Sequence, residues 1–207
     1  MQLRYETGLT GEEYVRTEAW RDAKLERCPN HPHGGCSVAS HGTYARKTPR
    51  DAKVPRWYCR ESHTTISLLA DCLAARLPGT LDALETVVAH AERSRSLTET
   101  AKALRRDAVE LPGAIRWVRR RVRLVRRLLT LLAELQPERF PLGIAGLVPL
   151  RAHLDTGRAL VELRCLLEPH LSVLPMPLGF STDRSRASGS GPGFQHKLGH
   201  DPPLSGA

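Results

Sequence analysis

Two short stretches decide how this chain is read: CPNHPHGGC, from Cys28 to Cys36, and RWYCRESH, from Arg56 to His63. The first places Cys28, His31, His33 and Cys36 in one loop, with Pro29, Gly34 and Gly35 supplying the bends that aim side chains at a common point. The second adds Cys59 and His63 at a C-x3-H spacing. A structural zinc ion takes four Cys or His ligands in a tetrahedron, usually from two tight turns joined by a hairpin. Cys28, Cys59 and His63 are the expected ligands. Cys36 is the fourth, or His31 in its place. Thiolate chemistry favours Cys36, whereas the tight spacing after Cys28 favours His31. His41 is expected on the hairpin rather than at the ion.

Around these stretches, residues 26–67 are rich in Gly, Pro and His and carry short β-favouring pieces, GTYARK, VPRWYC and HTTISL. They hold too few large apolar residues for a core of their own, so the module needs a staple such as a metal. Residues 1–25 show only a short helical piece, GEEYVRTEAWRDAKLE, with Tyr14, Ala19 and Trp20 as anchors.

Helical periodicity is expected from Ser67 onward. SLLADCLAARL reads as a helix stopped at Pro78-Gly79, with Cys72 in its core face. TLDALETVVAHAER follows, with Thr80 as N-cap and Leu81, Leu84, Val87, Val88 and Ala91 at helical spacing. Ser96 and Glu99 form the S-x-x-E pattern of a capping box, and Pro112 opens the next helix. Residues 147–171 suggest a further helix broken at Gly157, with Cys165 in its core. The chain beyond Pro175 lacks apolar periodicity and reads as disordered. The expected fold is mainly α with a small β zinc-ribbon. Its segments are an N-terminal piece (1–25), the ribbon (26–67), a helical helix-turn-helix domain (68–136), a C-terminal helical segment (137–174) and a tail (175–207).

The formal net charge is +9. Between Gly113 and Leu129 every charged residue is an arginine. At about 100° per residue, Ile115, Val118, Val122, Val125, Leu129 and Leu132 form one apolar seam, widened by Trp117, Leu124, Leu128 and Leu131. Arg116, Arg119, Arg120, Arg123, Arg126 and Arg127 share the opposite arc, and only Arg121 falls outside it. A helix packed on one side and densely basic on the other suits phosphate contact or a major groove. The same seam obeys a heptad, which would suit a homodimer through Ile115–Leu132.

CPNH, HGTYARK and RWYCRESHTTIS together resemble the zinc-ribbon opening of bacterial insertion-sequence transposases and their small relatives. Cys28-Pro29 match that family's first knuckle, with His31 in the place of its second ligand. His41, Gly42, Tyr44 and Arg46 match its hairpin, and Trp57, Cys59 and Thr65-Ile66-Ser67 its third element. AIRWVRRR, from Ala114 to Arg121, is similar to the family's recognition helix. The resemblance covers roughly residues 26–130 and implies a ribbon followed by a helix-turn-helix, with 97–105 as first helix and 112–127 as recognition helix. Full transposases continue into a large catalytic domain with a carboxylate triad, for which the leucine-rich segment after residue 140 leaves no room.

These readings converge on a non-enzymatic, zinc-stabilised protein that binds double-stranded DNA, a transposase-related accessory or regulator. Arg116, Arg119, Arg120, Arg123 and Arg127 would contact the DNA, with Thr98 and Lys102 touching its backbone. The alternative is a helical protein–protein interaction module with a structural zinc ribbon and no specific nucleic-acid binding. An enzyme would need an open metal position and a base, for which Glu61 is the near carboxylate. The opening residues show no basic-then-apolar signal and no run long enough to cross a bilayer, so a bacterial cytoplasm is the expected compartment, without membrane attachment.

Overall fold

The computed structural model of the protein describes residues 1–105, 112–140, 144 and 146–181. Strands β1 (Gln2–Tyr5), β2 (Val38–Ala45), β3 (Lys53–Cys59) and β4 (Thr64–Ala70) form one mixed sheet in the order β1-β4-β3-β2. The β2–β3–β4 portion is an antiparallel meander built from the three β-favouring pieces. Pro55 cannot donate to the ladder, and it is tolerated because its partner Thr43 lies at a register shift. Gly42, at φ +72°, makes that irregularity. Strand β1 adds in parallel to β4, with Leu3 opposite Leu68. Its local sequence gives no strand signal; the pairing depends on a neighbour more than sixty residues away.

The expected helix over SLLADCLAARL is absent. Strand β4 runs through Ala70, and 71–79 form a buried loop that bridges Leu73 to Thr80. A helix would satisfy these backbone groups locally, but tertiary partners do so here. The Asp71 carboxylate accepts from the Thr7 hydroxyl at 2.6 Å and from the amides of Thr7, Gly8 and Cys72. The buried Arg164 guanidinium donates to the carbonyls of Ala70, Asp71 and Leu73. Cys72 is buried as expected, in a loop instead of a helix.

Six helices surround this loop: α1 (Gly11–Arg16), α2 (Leu81–Arg93), α3 (Leu97–Arg105), α4 (Pro112–Leu135), α5 (Leu147–Leu154) and α6 (Ala159–Leu166). Helix α2 is the hub and packs against α3, α4, α5 and α6. Thr80 caps it, accepting from the Ala83 amide at 3.0 Å. At the start of α3, Ser96 accepts from the Glu99 amide, while the Glu99 carboxylate accepts from Arg95 rather than from Ser96 itself. Helices α5 and α6 are the expected segment broken near Gly157, the turn being made by Asp155 at φ +49°. Two carboxylates of α2 hold them in place. Glu92 accepts from the Leu147 and Val148 amides at the start of α5. Glu85, fully buried, accepts from the Leu160 amide and binds Arg151 at 2.7 Å.

Tyr14, Val54 and Leu69 share one apolar core with the inner faces of α2, α4, α5 and α6, so the N-terminal segment, the sheet and the helices are not packed as separate units. The seam residues Val118, Val122, Val125, Leu129 and Leu132 lie inside that core. The apolar seam expected to pair two chains is therefore covered by the chain's own helices. Residues 175–181, expected in the tail, pack through Leu178 and Phe180, and Arg164 donates to the carbonyls of Pro177 and Leu178. The remainder of that tail, 182–207, and the turn expected between α3 and α4 lie outside the described residues. No helix among the described residues is long and apolar enough to cross a membrane.

Candidate metal centre

The hairpin register brings the ligands together. Val38 pairs with Cys59, so Cys36, two residues earlier, arrives beside the end of β3. The loop before it turns tightly: the His31 amide donates to the Cys28 carbonyl, and the Gly34 amide to the His31 carbonyl. Gly34 and Gly35, at φ +88° and +85°, then carry the chain through conformations that other residues rarely adopt. Asn30 donates to the Ser62 hydroxyl at 2.9 Å, tying this loop to the β3–β4 turn.

Ligand atoms of Cys28, His31, Cys36 and Cys59 all lie within 4.8 Å of one another. Nδ1 of His31 is 3.5 Å from Sγ of both Cys28 and Cys59. A tetrahedral site with metal–sulfur bonds of about 2.3 Å and metal–nitrogen bonds of about 2.05 Å has sulfur–nitrogen edges of roughly 3.5 Å. The donors stand where such a site needs them. Three thiols and one imidazole make a soft, closed donor set that suits structural zinc. Ala23, Ile66 and Leu68 pack with Cys28 and Cys59 as a second apolar cluster around the group.

His63 is not part of this group. Its Nδ1 lies 3.0 Å from the Tyr58 hydroxyl, and the Tyr58 ring also faces His41. Successive strand residues point to opposite faces of a sheet, so the side occupied by Tyr58 is turned away from Cys59. His31 therefore stands in the position expected of His63, alongside Cys36 rather than in its place. Spacing alone favoured the C-x3-H pair because it could not register which face the turn would present.

Hydrogen bonds from Ser62 lower the Cys59 thiol to about 7 against the opposing effect of burial. Burial, reinforced by hydrogen bonds with the neighbouring thiols, raises Cys36 to about 12. In the metal-free group one sulfur carries the charge and the others share protons with it; a divalent cation would favour thiolate at all three. Glu61 borders the group, accepting from the Ser37 amide at 3.2 Å and from the Cys59 thiol at 3.6 Å. Backbone hydrogen bonds hold its carboxyl below the usual range. Its polar contacts are thus to the loop and to a ligand, as befits a group that positions the site.

On α4, Arg116, Arg119, Arg120, Arg123 and Arg126 are exposed and Arg127 is half-buried. On α3, Lys102 is exposed and Thr98 half-buried. Trp117, expected in the seam, is 43% exposed and carries the Arg121 guanidinium stacked on its ring. Cys165, expected in the core, is exposed. Sequence reasoning assigned no role to Asp71, Glu85, Glu92 or Arg164, whose partners lie far away in the chain; a charged residue on an otherwise apolar helix face was the available signal. No protein-family model, no curated protein and no solved structure matches this chain.

Proposed function

We propose that the protein is a non-enzymatic, zinc-stapled nucleic-acid-binding protein that docks α4 on double-stranded DNA. The observation that carries this reading is the unpaired charge of that helix. Arg4, Arg21, Arg151 and Arg158 all meet carboxylates. Among the described residues, Arg116, Arg119, Arg120 and Arg123 have no such partner, although the fold uses acidic residues freely elsewhere. A row of exposed, uncompensated guanidinium groups on a packed helix is matched to phosphate.

In this reading α3 and α4, which pack together, are the two helices of a helix-turn-helix, and the Cys28–His31–Cys36–Cys59 group is the zinc staple of a transposase-like ribbon. Arg119, Arg120 and Arg123 bind phosphate or guanine edges. Lys102 contacts the DNA backbone from α3. The zinc is structural: the four donors leave no open coordination position for a reaction.

Fluorescence anisotropy with a labelled duplex, titrated over a range of salt, tests the reading. Salt-dependent binding that Arg119→Ala/Arg120→Ala weakens supports it. Affinity indifferent to both salt and that double substitution would sink it.

A further inference from the structure

Arg121 is the arginine that falls outside the basic arc of α4, and it stands in a groove of about 630 Å³. The groove runs between the first turn of α2 and the first turns of α4 over the 77–79 loop, and its walls include Thr80, Gly113, Arg116, Trp117, Arg120 and Arg121. The Arg121 guanidinium carbon lies 3.5 Å from the centroid of the Trp117 ring, and Nη1 donates to the Trp117 carbonyl at 3.5 Å. Indole and guanidinium thus form a stacked platform. Among the described residues, no carboxylate lines the groove. Burial, with Arg120 adding repulsion, lowers Arg121 to about 10, so it remains a cation at neutral pH. The N-terminal ends of α2 and α4, where helix dipoles are positive, meet at the same place.

A simple anion would use the arginines and leave the indole idle. An uncharged aromatic would leave the cations uncompensated. A duplex keeps its bases stacked inside. An unpaired nucleotide within a strand offers both parts, a π-face for the platform and phosphates for the cations. We propose that this groove binds single-stranded nucleic acid, one unpaired base stacking on the Trp117–Arg121 pair while flanking phosphates contact Arg116 and Arg120. The exposed Arg119 and Arg123 continue the path along α4. The inference rests on reading α4 as a nucleic-acid surface and adds a second mode of binding to it.

The test is an anisotropy titration of the full chain against labelled oligo(dT) of about 15 nucleotides, long enough to span a typical single-strand site, and against a duplex of equal length. Expected is oligo(dT) binding that Trp117→Ala weakens about 5- to 100-fold, the worth of one base–aromatic stack. Trp117→Phe should restore most of it, with duplex affinity unchanged in both variants. An unaltered melting temperature for Trp117→Ala shows that its fold is intact. Duplex binding without oligo(dT) binding, or oligo(dT) binding indifferent to Trp117→Ala, overturns the groove and leaves the duplex reading standing. Oligo(dT) binding that depends on Trp117, without duplex binding, supports the groove and sinks the duplex reading. No binding of either probe sinks both. An oligoglutamate peptide that displaces oligo(dT) and is indifferent to Trp117→Ala assigns the groove to an acidic protein and overturns the proposal.

Discussion

His31 Nδ1 lies 3.5 Å from Cys59 Sγ across a separation of 28 residues, and that contact closes the metal group. It joins the loop before β2 to the end of β3, so the ion would cross-link the two parts of the hairpin that have the smallest apolar core. Zinc binding and folding of this end of the sheet are therefore one equilibrium.

The ligand set makes a direct prediction. Protein purified without added zinc should carry about one zinc per chain, as expected of a four-donor structural site. Cys28→Ser, Cys59→Ser and His31→Ala should each lose it, while His63→Ala retains it. Elemental analysis, with circular dichroism after chelation, checks this. Zinc lost from His63→Ala and kept in His31→Ala would overturn the assignment.

The basic face makes a second prediction. Removing Arg119 and Arg120 together should reduce the slope of log affinity against log salt by about 2, close to 0.9 for each phosphate no longer neutralised. Duplex titrations between low and moderate salt measure it.

Glu85 and Arg151 link α2 to α5 with the carboxylate fully buried. Arg151→Ala should cost about 2–4 kcal/mol near neutral pH, because it leaves a buried carboxylate without its cation. Desolvation raises the pKa of Glu85, so the folded state favours its protonated form. A raised acid contributes stability below its unfolded value and loses it as pH rises through its folded value. The Arg151→Ala penalty should therefore shrink on acidification and grow toward neutrality. Urea denaturation at several pH values reads it, and a penalty independent of pH would contradict the role of Glu85.

Arg164 gathers five carbonyls, from Ala70, Asp71, Leu73, Pro177 and Leu178, at a fully buried position. Arg164→Leu should destabilise the protein by about 3–5 kcal/mol, since it strands several buried acceptors at once. A lowered urea midpoint, with protection lost from the amides of residues 71–75 in hydrogen exchange, would show that this side chain holds the loop and the C-terminal segment together.

Elements with local causes are legible in the amino-acid sequence. Helices α2, α3 and α4 carry their apolar period, their Thr80 and Ser96 caps and the Pro112 opening within a few residues of one another. The break near Gly157 and the cysteine-rich hairpin are readable in the same way. The sequence also marks the types of metal donor and the arginine arc, because both depend on short spacing. Tertiary structure decided the rest. Strand β1 exists because β4 lies beside it, and 67–77 is strand and loop because Asp71 and Arg164 satisfy its backbone from a distance. His31 replaces His63 because the pleat turns one imidazole toward Cys59 and the other toward Tyr58. Arg121 joins a groove because α2 begins there. In each case the deciding partner is remote in the chain, and periodicity carries no record of it.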